Sequence, residues 1–309
     1  MLHLLKGFAS MVRWPNLVFI ALAQFLFQYC IYQPIYAGHI PPDDRVRFLF
    51  LLAGSVFIAA GGYAINDYFD ENIDEVNRPY SRVVGKIIGR RWAIVWHGVL
   101  SLAGLYCSWL SLFSVRQGYL LFLNLCAVLL LWFYSTQFKK SLLIGNALIA
   151  LLVSWSILVV FFSKLDPSQV VGATYPAQLR LFRFAVLYAG FAFLATMARE
   201  LVKDVEDMAG DRKFGSRTLP IVWGLPVAKL FTALWLILLA VMLVVVSVYL
   251  LQLRMHLAFS YVVAVIFLPL ILLLTRLKNA STTADFRRIS SQLKWIQLAG
   301  ILSMLFFYF

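Results

Sequence analysis

The sequence predicts an all-α fold, a multi-pass membrane helical bundle of nine transmembrane helices. Three observations carry this. Of 309 residues, 62% are hydrophobic and 13% charged, whereas soluble domains run at about 45–50% and about 25%. The mean hydropathy is +0.84, and the apolar residues come in runs of about 20, the length that crosses a bilayer as helix. The net charge of +13 sits largely between those runs. Such a composition excludes an ordinary soluble globule, a disordered chain, collagen and a coiled coil. A single domain over residues 1–309 is expected.

The nine spans are placed at 14–37, 48–66, 92–113, 118–134, 142–162, 181–200, 226–251, 256–274 and 293–309. The first opens at Arg13-Trp14-Pro15-Asn16, where proline suits the first helical turn. The second holds Gly54, Gly61 and Gly62, which permit close helix approach, and the stretch from Gly62 to Asn66 is expected to loosen the helix. The fourth closes on Tyr134-Ser135-Thr136-Gln137-Phe138-Lys139-Lys140. Cys30, Cys107 and Cys126 lie inside apolar runs with no CxxC spacing, so neither a disulfide framework nor a zinc site is implied.

The basic residues set the orientation. With the N-terminus on one side, the loops after spans two, four, six and eight share that side, and 20 of the 27 Lys and Arg fall there. Arg45, Arg47, Arg116, Lys164, Arg180, Arg183 and Arg254 fall opposite. The positive-inside rule makes the rich side cytoplasmic. In a soluble protein the same excess would suggest nucleic acid; here it points to a cell-membrane protein with no nucleic-acid partner.

The acids are still less evenly spread. Ten of the fourteen lie in two stretches, 67–75 and 200–211, at the ends of spans two and six, on one side. In the first, Asn66, Asp70 and Asp74 recur every four residues and line one helix face. Neighbouring carboxylates repel unless a cation lies between them. Oxygen donors of this kind suit Mg²⁺, which prefers a few carboxylates completed by substrate phosphates to a closed protein cage. In the second, Arg199, Lys203, Asp207 and Asp211 recur every four, so one stripe offers both cations for an anion and carboxylates for the metal bridging it. A single such cluster would be read as a solvated helix end. Two with one spacing, in a chain poor in acids, form a candidate diphosphate site. The recurrence also suggests two parallel copies of a four-helix unit.

Other polar residues leave two readings open. Tyr134 and the Lys139–Lys140 pair serve either as interfacial anchors or as phosphate contacts. Arg13 and Asn16 either anchor span one or line the site. His3, His39, His97 and His256 have no ligand spacing, and no GxSxG nucleophile elbow occurs.

This pattern resembles the UbiA superfamily of intramembrane prenyltransferases. Asn66, Asp70 and Asp74, within NDYFDENIDEVNRP, match its first signature NxxxDxxxD. Asp207 and Asp211, within KDVEDMAGDRKFGSRTLPI, match its second. The YxxxK element often found after span four is shifted, since Lys139 lies five residues beyond Tyr134. The resemblance implies a helical bundle around a central lipid-accessible cavity, and Mg²⁺ held by Asn66, Asp70, Asp74, Asp207 and Asp211. It implies an isoprenyl diphosphate contacted by Arg78, Lys139, Arg199 and Lys203. Asp67 or Asp204 would take the acceptor's proton or support the metal ligands from behind. Arg13, Asn16 and Tyr134 would meet a lipophilic acceptor. The stretch RELVKD with EDMAGD is closest to members that prenylate geranylgeranylglyceryl phosphate. An aromatic acceptor is the alternative. An ion-coupled transporter would instead place acids near the midplane, and the DGxxAR core of CDP-alcohol phosphotransferases is absent.

Overall fold

A computed structural model describes residues 2–36, 40–77, 82–165 and 175–308. They are mostly helical; the sole β feature among them is an isolated bridge between Val84 and Ile88. Helix α1 is Leu2–Met11, α2 Trp14–Leu26, α3 Asp44–Asn77, α4 Arg90–Leu110, α5 Gly118–Thr136, α6 Ile144–Ser163 and α7 Tyr175–Glu206. Then follow α8 Met208–Lys213, α9 Leu219–Val222, α10 Gly224–Gln252, α11 His256–Tyr261, α12 Leu268–Asn279 and α13 Thr283–Leu302. Two π-helical segments, Phe27–Tyr32 after α2 and Val262–Phe267 after α11, carry their helices onward without a break.

Eight helical stretches among the described residues are long and apolar enough to cross a membrane, the last being His256–Asn279. The chain is a multi-pass membrane protein. The expected ninth span is also a helix, but it starts ten residues before position 293, with Asp285, Arg287 and Arg288 in its first half and Lys294 just beyond. The start is fixed by a capping box: the Thr282 hydroxyl accepts from the Asp285 N–H, and the Asp285 carboxylate accepts from the Thr282 N–H. Those hydrogen bonds hold Asp285 down at about 2. Helices α3 and α7, with 34 and 32 residues, are each about 50 Å long at 1.5 Å per residue. The hydrocarbon is about 30 Å thick, so each has length to spare; the first acidic stretch occupies the C-terminal end of α3, and the second begins at the end of α7 and runs on into α8.

The chain divides into two compact units, residues 1–139 with 156–183, and residues 140–155 with 184–309. In the first, α3 is central and packs on α2, α4 and α5. Glycine sets the α3–α4 approach: a Cβ on Gly54 would stand 3.0 Å from the Gly104 carbonyl oxygen, and one on Gly104 3.0 Å from that of Gly54. The helix stays regular from Gly62 to Asn66, because these glycines accommodate neighbours (Leu131 lies over Gly62) and do not unwind it. Far along α3 from the acidic stripe lies a buried ion pair. Lys164 Nζ meets Asp44 Oδ1 at 2.6 Å, with both side chains almost wholly buried, and Gln28 donates to the other carboxylate oxygen at 2.7 Å. In the second unit, Leu201, Leu219, Leu236, Leu239, Leu270 and Leu293 form the inaccessible core.

Two outcomes follow for stability. Gly54→Leu overpacks the α3–α4 contact and is expected to cost about 1–3 kcal/mol, read as a lower midpoint of thermal unfolding in detergent. Lys164→Met leaves the buried Asp44 carboxylate without its counter-charge, with only the Gln28 amide to hold it, and is expected to cost about 3–5 kcal/mol. The double variant Asp44→Leu with Lys164→Met recovers most of that loss, and a double variant as unstable as the single would refute the pairing.

Candidate active site

The first acidic stripe is built on continuous helix. Asn66 and Asp70 are buried, and Asp74, one turn further, is half-buried. Asn66 donates from Nδ2 to Asp70 Oδ2 at 2.6 Å. The same Asp70 oxygen receives the Lys139 ammonium, carried on a 3₁₀ turn Phe138–Lys140 directly after α5. That turn delivers lysine to the carboxylate despite the shifted spacing from Tyr134, which stays half-buried in the last turn of α5. Asn66 Oδ1 is buried with no partner.

Beside the stripe, Asp67 pairs with Arg13 at 3.1 Å. Arg13 occupies the link between α1 and α2 with φ +50°, a left-handed conformation that residues with a Cβ adopt at a cost. Its guanidinium also lies over the Tyr63 ring, 5.1 Å from the centroid, and Asn16 donates to the Tyr63 hydroxyl at 3.2 Å. Arg13, Asn16 and Asp67 thus form one cluster around Tyr63. Glu71 and Glu75 serve the following loop: Arg90 meets Glu71 at 3.6 Å and Arg82 meets Glu75 at 3.2 Å. Arg78 lies outside the described residues.

In the second unit the stripe is interrupted. Helix α7 ends at Glu206, and Asp207 is the junction residue before α8, with φ −94° and ψ 3°. The spacing survives the break, because the Asp207 N–H reaches the Lys203 carbonyl at 2.8 Å and the Asp211 N–H reaches that of Asp207 at 3.2 Å. Asp211 is buried and Asp207 half-buried. Arg199 and Lys203 converge on Glu200 Oε1 at 3.2 and 2.8 Å, and Arg199 Nε is buried without a partner. Asp204 points elsewhere and accepts from Asn146 Nδ2 of α6 at 2.8 Å. Glu206 pairs with Arg287 of α13 at 3.1 Å.

Sequence reasoning missed Glu200, Asn146 and Tyr63. Glu200 was open to detection, since it lies three residues before Lys203, on the same helix face. Asn146 was the lone amide in an apolar span, where polar groups are functional suspects. Nothing in the spacing marked Tyr63.

The donor set fits a hard divalent cation. Asn66 Oδ1 is a buried acceptor needing a partner, and Asp70 and Asp74 add carboxylate oxygens on the same face. Among the described residues no three His, Cys, Asp or Glu side chains are grouped as a metal site; Mg²⁺ commonly completes its coordination with substrate phosphates.

Residues 34–297 match the UbiA prenyltransferase family. The chain belongs to this family. It is 36% identical over 187 residues to the digeranylgeranylglyceryl phosphate synthase of Haloquadratum walsbyi, covering 60% of this chain and 59% of that protein. It is 29% identical over 265 residues to that of Korarchaeum cryptofilum, covering 85% of each. The chain spans about three fifths of the length of the first curated relatives it matches (59–61%). Its fold is similar to a solved structure of digeranylgeranylglyceryl phosphate synthase in membranes, with TM-score 0.61 and 22% identity over 98% of this chain and 99% of that one. It is also similar to a UbiA homologue from Archaeoglobus fulgidus bound to DMAPP and Mg²⁺, with TM-score 0.58 and 14% identity over 96% and 99%. These structural likenesses establish the UbiA fold, which the all-helical sequence reading anticipated.

The strained link at Arg13 has a testable signature. Arg13→Ala and Arg13→Gly both remove the Asp67 partner, but only glycine adopts the positive φ freely. The alanine variant is expected to be the less stable of the two by about 1–2 kcal/mol, measured by thermal unfolding. Equal stabilities would show that the link relaxes.

Proposed function

We propose that the protein transfers an isoprenyl group from an isoprenyl diphosphate to a lipophilic acceptor, releasing diphosphate and depending on Mg²⁺. The acceptor in this reading is a glycerol-phosphate lipid of the geranylgeranylglyceryl phosphate type. The observation that carries the proposal is the recurrence of one carboxylate stripe at the ends of α3 and α7, in a member of the UbiA prenyltransferase family. The relatives named digeranylgeranylglyceryl phosphate synthase support the choice of acceptor.

Asn66, Asp70, Asp74, Asp207 and Asp211 hold the metal in this scheme. Bound there, Mg²⁺ supplies charge neutralisation to the departing diphosphate. Lys139, Arg199, Lys203 and Arg78 bind the remaining diphosphate oxygens, with Lys139 exchanging its contact to Asp70 for one to phosphate. The C–O bond between the allylic carbon and the diphosphate breaks, a new C–O bond forms to the acceptor hydroxyl, and the hydroxyl proton passes to a carboxylate, Asp67 or Asp204. Arg13, Asn16 and Tyr134 contact the acceptor, and the surplus cations favour one that carries phosphate. The apolar walls keep water from the allylic cation. In this reading the N-terminus and the site face the cytoplasm, a side that the excess of basic loop residues supports.

The test is turnover by the reconstituted protein. Geranylgeranyl diphosphate with geranylgeranylglyceryl phosphate is expected to yield the diether product and free diphosphate, and chelation of Mg²⁺ to stop it. Asp70→Ala and Asp207→Ala are expected to lower kcat about 100-fold or more while leaving the folded protein in the membrane. Turnover only with an aromatic acid would replace the acceptor; near-normal activity in both variants would remove the metal assignment.

A further inference from the structure

At the start of the chain, the structure presents a surface that the catalytic reading does not use. Helix α1 turns Gly7 and Met11 inward and leaves Leu4 and Leu5 about 60% exposed. Its inner face rests on the loop that follows the first acidic stripe. A Cβ on Gly7 would stand 2.5 Å from Ile87 Cγ2, so backbone meets side chain there. Met11 and Val12 are buried with Val83, Val84 and Ile88 in one cluster, and the Phe8 ring packs tilted against Trp96 with centroids 4.7 Å apart. The loop is fixed in turn to α3, where Gly85, with φ +80°, lies against the Glu71 carboxylate.

Around the Gly7–Ile87 contact the outward residues are basic and apolar. Lys6 and Lys86 each immediately precede a contact residue, and Arg91 and Trp92 follow in the first turn of α4. All four are exposed. Glu71 and Glu75, the carboxylates next to this loop, are engaged by Arg90 and Arg82. Lys6, Lys86 and Arg91 have no carboxylate partner among the described residues. Trp92 and Trp14, exposed at 62% and 57%, stand at the starts of two spans, where tryptophan seeks the headgroup level. Unpaired cations interleaved with exposed leucine and tryptophan on an amphipathic helix match a negatively charged bilayer surface in both charge and polarity.

We propose that α1, the 82–89 loop and the first turn of α4 form a docking surface for anionic lipid headgroups. Leu4, Leu5 and Trp92 enter the headgroup–acyl boundary, and Lys6, Lys86 and Arg91 meet the lipid phosphates. Because the loop is also anchored to Glu71, one residue from Asp70, headgroup binding steadies the backbone beside the first stripe.

Amide hydrogen exchange on the full-length protein tests this without measuring turnover, so its outcome is separate from that of the catalytic reading. The protein is placed in nanodiscs of phosphatidylcholine alone, or of phosphatidylcholine with an equal share of phosphatidylglycerol. Exchange at residues 2–11 and 82–91 is expected to be about fivefold slower or more in the anionic membrane, the weight of one basic side chain at such a surface. The difference is expected to shrink as ionic strength rises from about 0.1 M to about 1 M and the Debye length falls from about 10 to about 3 Å. Lys6→Gln, Lys86→Gln and Arg91→Gln together abolish it, and Lys6→Gln alone reduces it, with amides within α4 reporting that the fold is intact. Equal exchange in the two membranes, a difference that survives the triple substitution, or the same protection from inorganic phosphate in phosphatidylcholine nanodiscs would each overturn the proposal.

Discussion

A carboxylate cannot stand alone in hydrocarbon, and the fold is arranged around that cost. Several buried or half-buried acids among the described residues are given partners from another part of the chain or from neighbours on their own helix. Asp44 has Lys164 and Gln28, Asp67 has Arg13, and Asp70 has Asn66 and Lys139. Glu200 has Arg199 and Lys203, and Asp204 has Asn146. An unpaired ion in a low-dielectric interior costs several kcal/mol, so these pairings decide which segments must pack together. Where pairing stops is as informative. One unpartnered atom in the first motif is an acceptor, Asn66 Oδ1, and one beside the second is a donor, Arg199 Nε. Taken separately, a cation would answer the first and an anion the second.

The two motifs solve different mechanical problems. The first is carried on unbroken helix from Asp44 to Asn77, so its donors are fixed relative to one another by helical geometry, and the neighbouring acids Glu71 and Glu75 are free to pin the next loop. The second sits where a helix ends. Asp207 belongs to neither α7 nor α8, and the chain beyond it turns through Gly215 at φ +73°. Within that unit the Arg217 N–H donates to the Lys140 carbonyl at 2.8 Å, which holds the segment after the second motif. The helix phase therefore separates adjacent acids in the first motif: Asn66, Asp70 and Asp74 share one face, while Glu71 and Glu75 meet Arg90 and Arg82.

Much of this was legible in the residues. Hydropathy placed the spans, because twenty apolar side chains admit few alternatives to a helix in lipid. Four-residue spacing placed Asn66, Asp70 and Asp74 on one face. The ends were harder. Hydropathy stops where the hydrocarbon stops, so it cannot show that α3 continues to Asn77 or that α13 begins at a polar capping box. The partners were harder still. Lys139 lies 69 residues from Asp70, and Asn146 lies 58 from Asp204. No local period links them; only the packing of distant helices does. The π-helical segments were equally silent, since one extra residue in a helical turn leaves the apolar content of a span unchanged.

The Arg13–Asp67 contact shows how such long-range pairing bears on chemistry. Arg13 is held at positive φ, at a cost that an ordinary helix–helix link would avoid by placing glycine there. The retained side chain is what that strain secures: a guanidinium delivered to a carboxylate one residue from the stripe, braced by the Tyr63 ring. An arginine offers five donors and engages carboxylate or phosphate with the same planar fork. The contact to Asp67 therefore occupies only part of its capacity, and it holds a phosphate-matching group at the edge of the first motif. The same link joins α1 to α2, so α1 and the first apolar helix meet at the residue that pairs with Asp67. In the proposed reading, headgroup contact on α1 and acceptor contact at Arg13 act through one short, strained connection, and the geometry of that connection sets how firmly the first motif is closed on its cytoplasmic flank.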